Sequence, residues 1–412
     1  MNLPFELYVS VRYLAARRKQ ASMASTSLIS VLGVTVGVTA LIVALALMTG
    51  LQQELRDRIV GAQAHVYVWK VLDGGFEDYR AEARSLAALP RVEAAAPAIL
   101  GKALARGRAG EVFINVKGID PALEATVTGL ATAIEQGSLP DLTAYDGPST
   151  GGIVIGAELA RELGAFVGDE ISLITATSGT LSPMGVLPRP RRLEVVGTFR
   201  LGLLDYDTGY GYVALDAARR LFRKDRVEMM QLRVDDPYAS RAVAEALPKR
   251  LGDAYMADDW SGLNASLFEA LFLEKMAISV AIGLIVVVAT LNIVSSLIML
   301  VMEKSRDIAI LKTMGASTRM VRRIFVLQGA AIGLAGTAAG AAGGYLICTV
   351  MDRYRLLRLP MDVYQVSYVP FIVEPLDFWL VLLAANAVCL LVTLHPSRHA
   401  ARIHPAEALR YQ

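Results

Sequence analysis

The stretch Met302-Glu303-Lys304-Ser305-Arg306-Asp307-Ile308-Ala309-Ile310-Leu311-Lys312-Thr313-Met314-Gly315-Ala316-Ser317 decides how the rest of the chain is read. It is short and charged, and on each side lies an apolar run too long for a soluble core helix. Ile308 and Leu311, with Ile310 and Met314 less regularly placed, offer apolar surface, while Lys304, Arg306, Asp307 and Lys312 keep the segment wet. Gly315 supplies a helix stop, and Ser317 can cap the segment after it. A membrane-surface helix of this kind can dock into a groove on a soluble partner. On periodicity alone a plain turn between two spans is the simpler reading; the rest of the chain has to separate the two.

Of the 412 residues, 54% are hydrophobic and 19% charged. That is too apolar for an ordinary soluble protein, yet the middle is too charged for a chain made of spans alone. The composition implies a few spans plus a sizeable soluble domain. The net charge of +2 gives no reason to expect a nucleic-acid partner. Cys348 and Cys389 both sit in apolar runs, so they read as small hydrophobes, not as a disulfide framework.

Residues 1–26 read as a cytoplasmic, interfacial amphipathic segment, because 5–19 mix aromatic and aliphatic side chains with Arg12, Arg17, Arg18 and Lys19. A first span comes next at 27–50, of roughly the ~20 residues a bilayer needs. Ala44-Leu45-Ala46 imitates a signal-peptide cleavage site, but the basic region is long and the apolar stretch exceeds the usual ~7–15 residues, which favours an uncleaved anchor. Gly33 and Gly37 are spaced for close helix contact. Leu51, Leu55 and Ile59 carry one apolar face onward as a stalk that Gly61 should end.

Residues 51–265 hold no run long enough to span. Strand-like segments appear at 65–69, 112–116, 152–155, 171–174 and 193–196, with helix-like ones at 79–89, 157–163, 215–222 and 239–251. This is an α+β domain of about 200 residues, large enough for its own core, with the Gly/Pro/Ser-rich 137–152 leaving open one domain or two subdomains. The loop 177–192 stands apart, with three prolines, Met184 and Leu187 near its tip, and Arg189, Arg191 and Arg192 at its return. Prolines stiffen such a hairpin, and apolar tips on stiff loops are binding elements; a solvated hairpin with incidental arginines is the plainer alternative.

A second stalk end and span cover 266–302. Asn292, Ser295 and Ser296 share one face of that span, as interhelical hydrogen-bonding groups or as the lining of a substrate cavity. After the charged 303–319 come a span at 320–351 loaded with glycines, a balanced loop at 352–377, a last span at 378–395 and a basic tail at 396–412. Repeated small residues in the third span predict tight packing on another helix. The distribution of Lys and Arg places both termini and the 303–319 segment in the cytoplasm, and the large domain and the 352–377 loop on the outer side.

Enzymatic chemistry is not indicated. There is no G-x-x-x-x-G-K-[ST] phosphate loop, no G-x-S-x-G and no H-E-x-x-H. His395, His399 and His404 lack the carboxylate or thiol that would complete a zinc set, so no metal is expected. Asp205/Asp207 and Asp258/Asp259 read as solvated acidic turns.

Four runs together resemble one family. They are Gly37-Val38-Thr39-Ala40-Leu41-Ile42 leading to Met48-Thr49-Gly50-Leu51-Gln52-Gln53-Glu54-Leu55; Asn292-Ile293-Val294-Ser295-Ser296-Leu297 leading to E-K-x-x-D-I-A-I-L-K-T-M-G-A from Glu303; Leu359-Pro360-Met361-Asp362-Val363-Tyr364; and Pro405-Ala406-Glu407-Ala408-Leu409-Arg410-Tyr411. Over nearly its whole length the chain is similar to the LolC/LolE membrane subunits of the lipoprotein-releasing ABC transporter of Gram-negative bacteria. The run from Glu303 is specific to this group.

The resemblance implies a multi-pass subunit of the bacterial inner membrane that extracts outer-membrane-destined, triacylated lipoproteins and hands them to a periplasmic carrier of the LolA kind. It implies that ATP and magnesium bind a separate, LolD-like homodimeric ATPase, leaving this chain without a cofactor. Glu303, Lys304, Asp307, Ile308, Leu311, Met314 and Gly315 would form the coupling segment on that ATPase, with the stalks transmitting its motion. Pro183, Met184 and Gly185 at the tip of the 177–192 loop, with Arg191 and Arg192 at its return, would form a carrier-holding hook of the LolC type. Met48, Asn292, Ser295 and Ser296 are expected on a substrate cavity walled by spans one and two. The facing subunit would be LolE-like or a second copy of this chain, with membrane lipid around both. The alternative is a MacB-like or FtsX-like mechanotransmission permease serving efflux or control of a cell-wall hydrolase.

Overall fold

The computed structural model describes residues 6, 8–10, 21–71, 74–145, 149–175, 179–182, 185–188, 190–356 and 368–401. Two compact units form, one from Met1–Gln53, Ala270–Arg358 and Tyr368–Gln412, the other chiefly from Glu54–Glu269.

The first unit is helical: α1 (Ala21–Ala62), α2 (Ala265–Glu303), α3 (Ser305–Thr313), α4 (Thr318–Tyr354) and α5 (Pro375–Ala401). All but α3 are long and apolar enough to cross a membrane. At about 1.5 Å per residue, α1 is roughly 63 Å long, twice the thickness of a hydrocarbon core, so its residues divide between the two units. Gly61 does not end it. That glycine lies inside the last turn, and the helix runs on to Ala62.

Small residues set the packing of these helices. A Cβ on Gly340 would lie 2.8 Å from the Thr35 carbonyl oxygen of α1, and one on Gly333 would lie 2.8 Å from Cys389 Cβ of α5. The glycine-rich α4 therefore serves two neighbours, α1 through Gly336, Gly340 and Gly344, and α5 through Gly329 and Gly333. Thr35 and Thr39 add hydroxyl bonds to the Gly336 and Gly340 carbonyls at 3.2 and 3.1 Å. Gly37 meets Val286 of α2. Both cysteines are buried and unbridged.

The second unit is built on a ten-stranded sheet. Its strands are β1 (Val66–Lys70), β2 (Val92–Arg106), β3 (Glu111–Ile119), β4 (Ile134–Gly137), β5 (Gly152–Gly156), β6 (Glu170–Thr175), β9 (Arg191–Phe199), β10 (Tyr210–Ala214), β11 (Met229–Val234) and β12 (Tyr255–Asp259); β7 (Gly179–Ser182) and β8 (Gly185–Pro188) form a separate hairpin. The order β12-β1-β11-β2-β3-β10-β5-β9-β4, with β6 joining β2 to β9, places strands from both sides of residues 137–152 in one sheet. Pairing is antiparallel except for β3 with β10 and β5 with β9. This is the α+β class expected.

Alternation along the strands gives the sheet two different faces. In β1, Val66 and Val68 enter the main core with Ile99, Val116, Leu159 and Leu221, while Tyr67 and Trp69 point the other way. In β10, Val213 joins that core and Tyr212 packs with Phe199 on the opposite side. The aromatic face carries a buried polar cluster, in which Lys117 Nζ donates to Glu124 Oε1 at 2.8 Å and to Gln231 Oε1 at 2.7 Å.

Of the two acidic pairs expected in solvent, Asp205 is exposed as expected, but Asp207 and Asp259 are structural instead. Asp207 is fully buried and accepts from the Leu201 and Gly202 backbone N–H groups at 2.8 and 3.0 Å. Asp259 is buried and accepts from Ser240 and Ser261 hydroxyls and from the Gly262 N–H. Short side-chain acceptors beside free backbone donors make turns and caps as readily as solvated faces.

Candidate functional site

The opening stretch folds as a helix between two long ones. Lys304 occupies the N-cap position of α3 and pairs with Asp307 at 3.3 Å. Gly315, at φ +101°, stops the helix in a conformation that L side chains avoid. The Ser317 hydroxyl then caps α4 by accepting from the Met320 N–H at 3.2 Å. Lys312 Nζ reaches the Ala401 carbonyl at 2.7 Å and ties α3 to the end of α5. The segment is thus a fixed element of the helical unit.

Its apolar side chains divide differently from the sequence expectation. Ile308 is 1% exposed and packs in a cluster with Val321 and Phe325, so it anchors α3 from below. Leu311 is half-buried. Ile310 of α3 is 44% exposed and Met314 just after it 80%, while Met302, in the last turn of α2, is 69% exposed. Met302 was missed because it lies in the preceding apolar run, where nothing marks it as exposed. Glu303 ends α2 with its Oε2 buried and without a hydrogen-bond partner among the described residues.

Within the 177–192 loop, β7 and β8 pair as a hairpin, with Ser182 opposite Gly185 and Gly179 opposite Pro188. Pro183 and Met184 lie outside the described residues, as does the run 359–364. Arg191 and Arg192 open β9, where their backbones pair with Leu173 and Ser172 and their side chains stay exposed. Arg192 lies 3.7 Å from Glu170.

Of the expected cavity residues, Ser296 is buried and shares a 2.5 Å hydrogen bond with Ser30 of α1. Ser295 is exposed and Met48 half-buried. At the end of the helical unit opposite α3, Lys275 Nζ joins Asp377 Oδ2 at 2.7 Å and Thr49 Oγ1 at 3.2 Å, linking α2, α5 and α1. Beside it the chain crosses α1, where Ile372 N–H donates to the Ala46 carbonyl at 3.1 Å, and a Cβ on Gly50 would collide with the Pro370 carbonyl.

A MacB-like periplasmic core domain model matches residues 27–250, and an FtsX-like permease C-terminal model matches 279–405. The lipoprotein-releasing system transmembrane protein LolC of Xylella fastidiosa is 35% identical, with 99% of each chain covered. LolC of Neisseria meningitidis serogroup B is also 35% identical over 99% of each chain, and LolE of Haemophilus influenzae 27% identical over the same share. The chain belongs to the LolC/LolE family of lipoprotein-releasing system transmembrane proteins. With four helices among the described residues long and apolar enough to cross a membrane, this LolC/LolE permease is a multi-pass membrane protein. The family's outer domain corresponds here to the ten-stranded sheet.

Proposed function

We propose that this chain is the membrane subunit of an ATP-driven transporter that lifts lipoproteins out of the bacterial inner membrane and passes them to a soluble periplasmic carrier. The observation that carries this reading is the full-length similarity to LolC proteins of two bacteria. ATP and magnesium belong to a partner ATPase of the LolD kind, which receives α3 and the residues on either side of it: Met314, Ile310 and Met302 as contacts, Leu311, Lys304 and Asp307 at the edge, and Glu303, Ile308 and Gly315 as the residues that set the helix in place. Both termini and α3 face the cytoplasm on this reading, and the sheet domain faces the periplasm.

The energetics explain why a nucleotide is needed. Each buried CH₂ of an acyl chain is worth ~0.8 kcal/mol, so three chains hold a lipoprotein far more firmly than a static binding site can offset. Four spans also make a small enclosure. A second permease, LolE-like or identical, completes the cavity, with Met48 and Ser295 on the walls given by α1 and α2 and Ser296 behind them in its contact with Ser30. Release then needs a receiver, and the β7–β8 hairpin with Pro183, Met184 and Gly185 at its tip and Arg191 and Arg192 at its return is the carrier contact. LolC and LolE of Haemophilus are 28% and 27% identical to this chain, so the LolC-like assignment rests on the hairpin.

The test is a pull-down of the full-length protein with the periplasmic lipoprotein carrier, with and without residues 179–188. Binding that depends on the hairpin supports the LolC-like role. Binding that survives the deletion keeps the pathway and moves the contact. Absence of binding by either protein, together with intact ATPase association, would overturn the hairpin as the carrier contact and leave a LolE-like role or the MacB-like or FtsX-like reading.

A further inference from the structure

Helix α2 is anchored over only part of its length. Its second half enters the core of the helical unit, where Val286, Ile293, Leu297, Leu300 and Val301 are buried. Across residues 270–285 no side chain is buried, and Phe272, Val280 and Leu284 are more than half exposed. Polar contacts hold this first half where the apolar anchors stop. Lys275 Nζ donates to Asp377 Oδ2 of α5 at 2.7 Å and to Thr49 Oγ1 of α1 at 3.2 Å. One turn earlier, Gln52 Nε2 of α1 donates to the Leu271 carbonyl at 3.0 Å. The Lys275 and Asp377 side chains are only 21% and 22% exposed. An ion pair so placed selects one arrangement more than it adds net stability, and it can be lost without opening an apolar core.

The helix itself is weakest where the two halves meet. Ser279 Oγ donates to the Lys275 carbonyl at 2.6 Å, the bond to the preceding turn that loosens the backbone ladder and bends helices. Gly283 follows four residues later on the same face. Nothing lies within 4 Å of its Cβ position, whereas each glycine of α4 meets an atom of a neighbouring helix. Close packing therefore explains the glycines of α4 and does not explain Gly283. A helical glycine that packs against nothing contributes only backbone freedom, and paired with a serine it is a usual place for a helix to bend.

We propose that α2 is a hinged arm that flexes at residues 279–283, and that Lys275, bridging Asp377 and Thr49, is the latch holding its first half against α1 and α5. The latched state is the one in the structure. In the open state the first half swings away from α5 while the second half keeps its place in the core. The device involves only this chain's own helices, so its failure leaves the lipoprotein reading untouched.

The test is double electron–electron resonance on the full-length protein in lipid nanodiscs. Cys348 and Cys389 are replaced by alanine, and spin labels are attached to cysteines introduced in pairs at exposed positions. Phe272 with Leu383 reports the first half of α2 against α5, and Met299 with Leu391 reports the second half. Lys275→Met should spread the 272-to-383 distances toward longer values and raise the open population at least about fivefold. The 299-to-391 distances should stay as they are. Lys275→Asp combined with Asp377→Lys should return the narrow distribution, because the pair is restored with its signs exchanged. Gly283→Ala added to the Lys275→Met protein should narrow the distribution again by stiffening the helix. A Lys275→Met distribution equal to that of the parent would overturn the latch, as would a charge-exchanged protein that stays broad. Spreading that Gly283→Ala leaves unchanged would overturn the hinge. Equal spreading of both label pairs would mean that α2 shifts as one rod, and the proposal would fall.

Discussion

His65 is buried beside the Val234 backbone, its Nδ1 3.2 Å from that residue's nitrogen and oxygen. Burial lowers its pKa from 6.5, and the backbone contact only partly opposes this. The folded protein therefore holds the ring neutral. Its contribution to stability is complete above the unfolded value and is lost as the pH falls through the lowered folded value. The outer domain should melt at progressively lower temperature below pH about 6.5, and His65→Gln should flatten that slope; a thermal scan across pH by circular dichroism checks both. Lys117 and Glu124 make a second residue-scale case. Glu124 is fully buried, so Glu124→Ala strands an ammonium and should cost about 3–5 kcal/mol, while Lys117→Met with Glu124→Leu should recover much of the loss. A double-mutant cycle on the domain's unfolding transition measures it. Neither residue was legible in the sequence as a pair. They lie seven positions apart, one on a strand and the other on the helix Pro121–Val127, and only the sheet brings Gln231 to join them. The same holds for Asp207 and Asp259, whose backbone partners come from neighbouring turns that composition does not reveal.

Among the elements, the long helices were legible because a bilayer-length apolar run has few other readings. Strands such as β1, β3 and β5 showed through their β-branched alternation. The longest strand, β2, did not. Its sequence, rich in alanine, carries helix propensity, and it is extended because β3 and β11 pair with its two edges over many residues; tertiary pairing outweighs a propensity of a few tenths of a kcal/mol per residue. β10, β11 and β12 were passed over for a related reason, being short and mixed in character. In the helical unit, the glycines of α4 were readable as a packing face, but not as two faces for two neighbours. That distinction is testable. Gly340→Ala forces a Cβ against the Thr35 carbonyl at 2.8 Å, a backbone atom that cannot swing away, and overpacking of this kind costs about 1–3 kcal/mol. Gly283 of α2 has nothing within 4 Å of its Cβ position, so Gly283→Ala should be neutral or gain up to about 1 kcal/mol of helix propensity. Melting temperatures in one detergent, compared side by side, give the answer.

On the scale of the whole molecule, the proposed function assigns its two partner contacts to different units, α3 to the helical one and the β7–β8 hairpin to the sheet domain. Two losses should then be separable. Met314→Asp puts a charge on a side chain that is 80% exposed, so it should leave folding and carrier binding unchanged while reducing ATPase co-purification at least about tenfold, the effect of a desolvated charge worth about 1.4 kcal/mol or more at an interface. Ile308→Asp should fail differently, because it buries that charge in the cluster around Phe325 and destabilises the helical unit itself. Deleting 179–188 removes a hairpin whose strands pair only with each other among the described residues, so the ten-stranded sheet should survive with ATPase association intact and carrier capture lost. The measurement is a single purification in which ATPase and carrier are quantified against each variant. If Met314→Asp lost the carrier as well, or the hairpin deletion lost the ATPase, the two contacts would not be independent, and the division of roles between α3 and the hairpin would have to be abandoned.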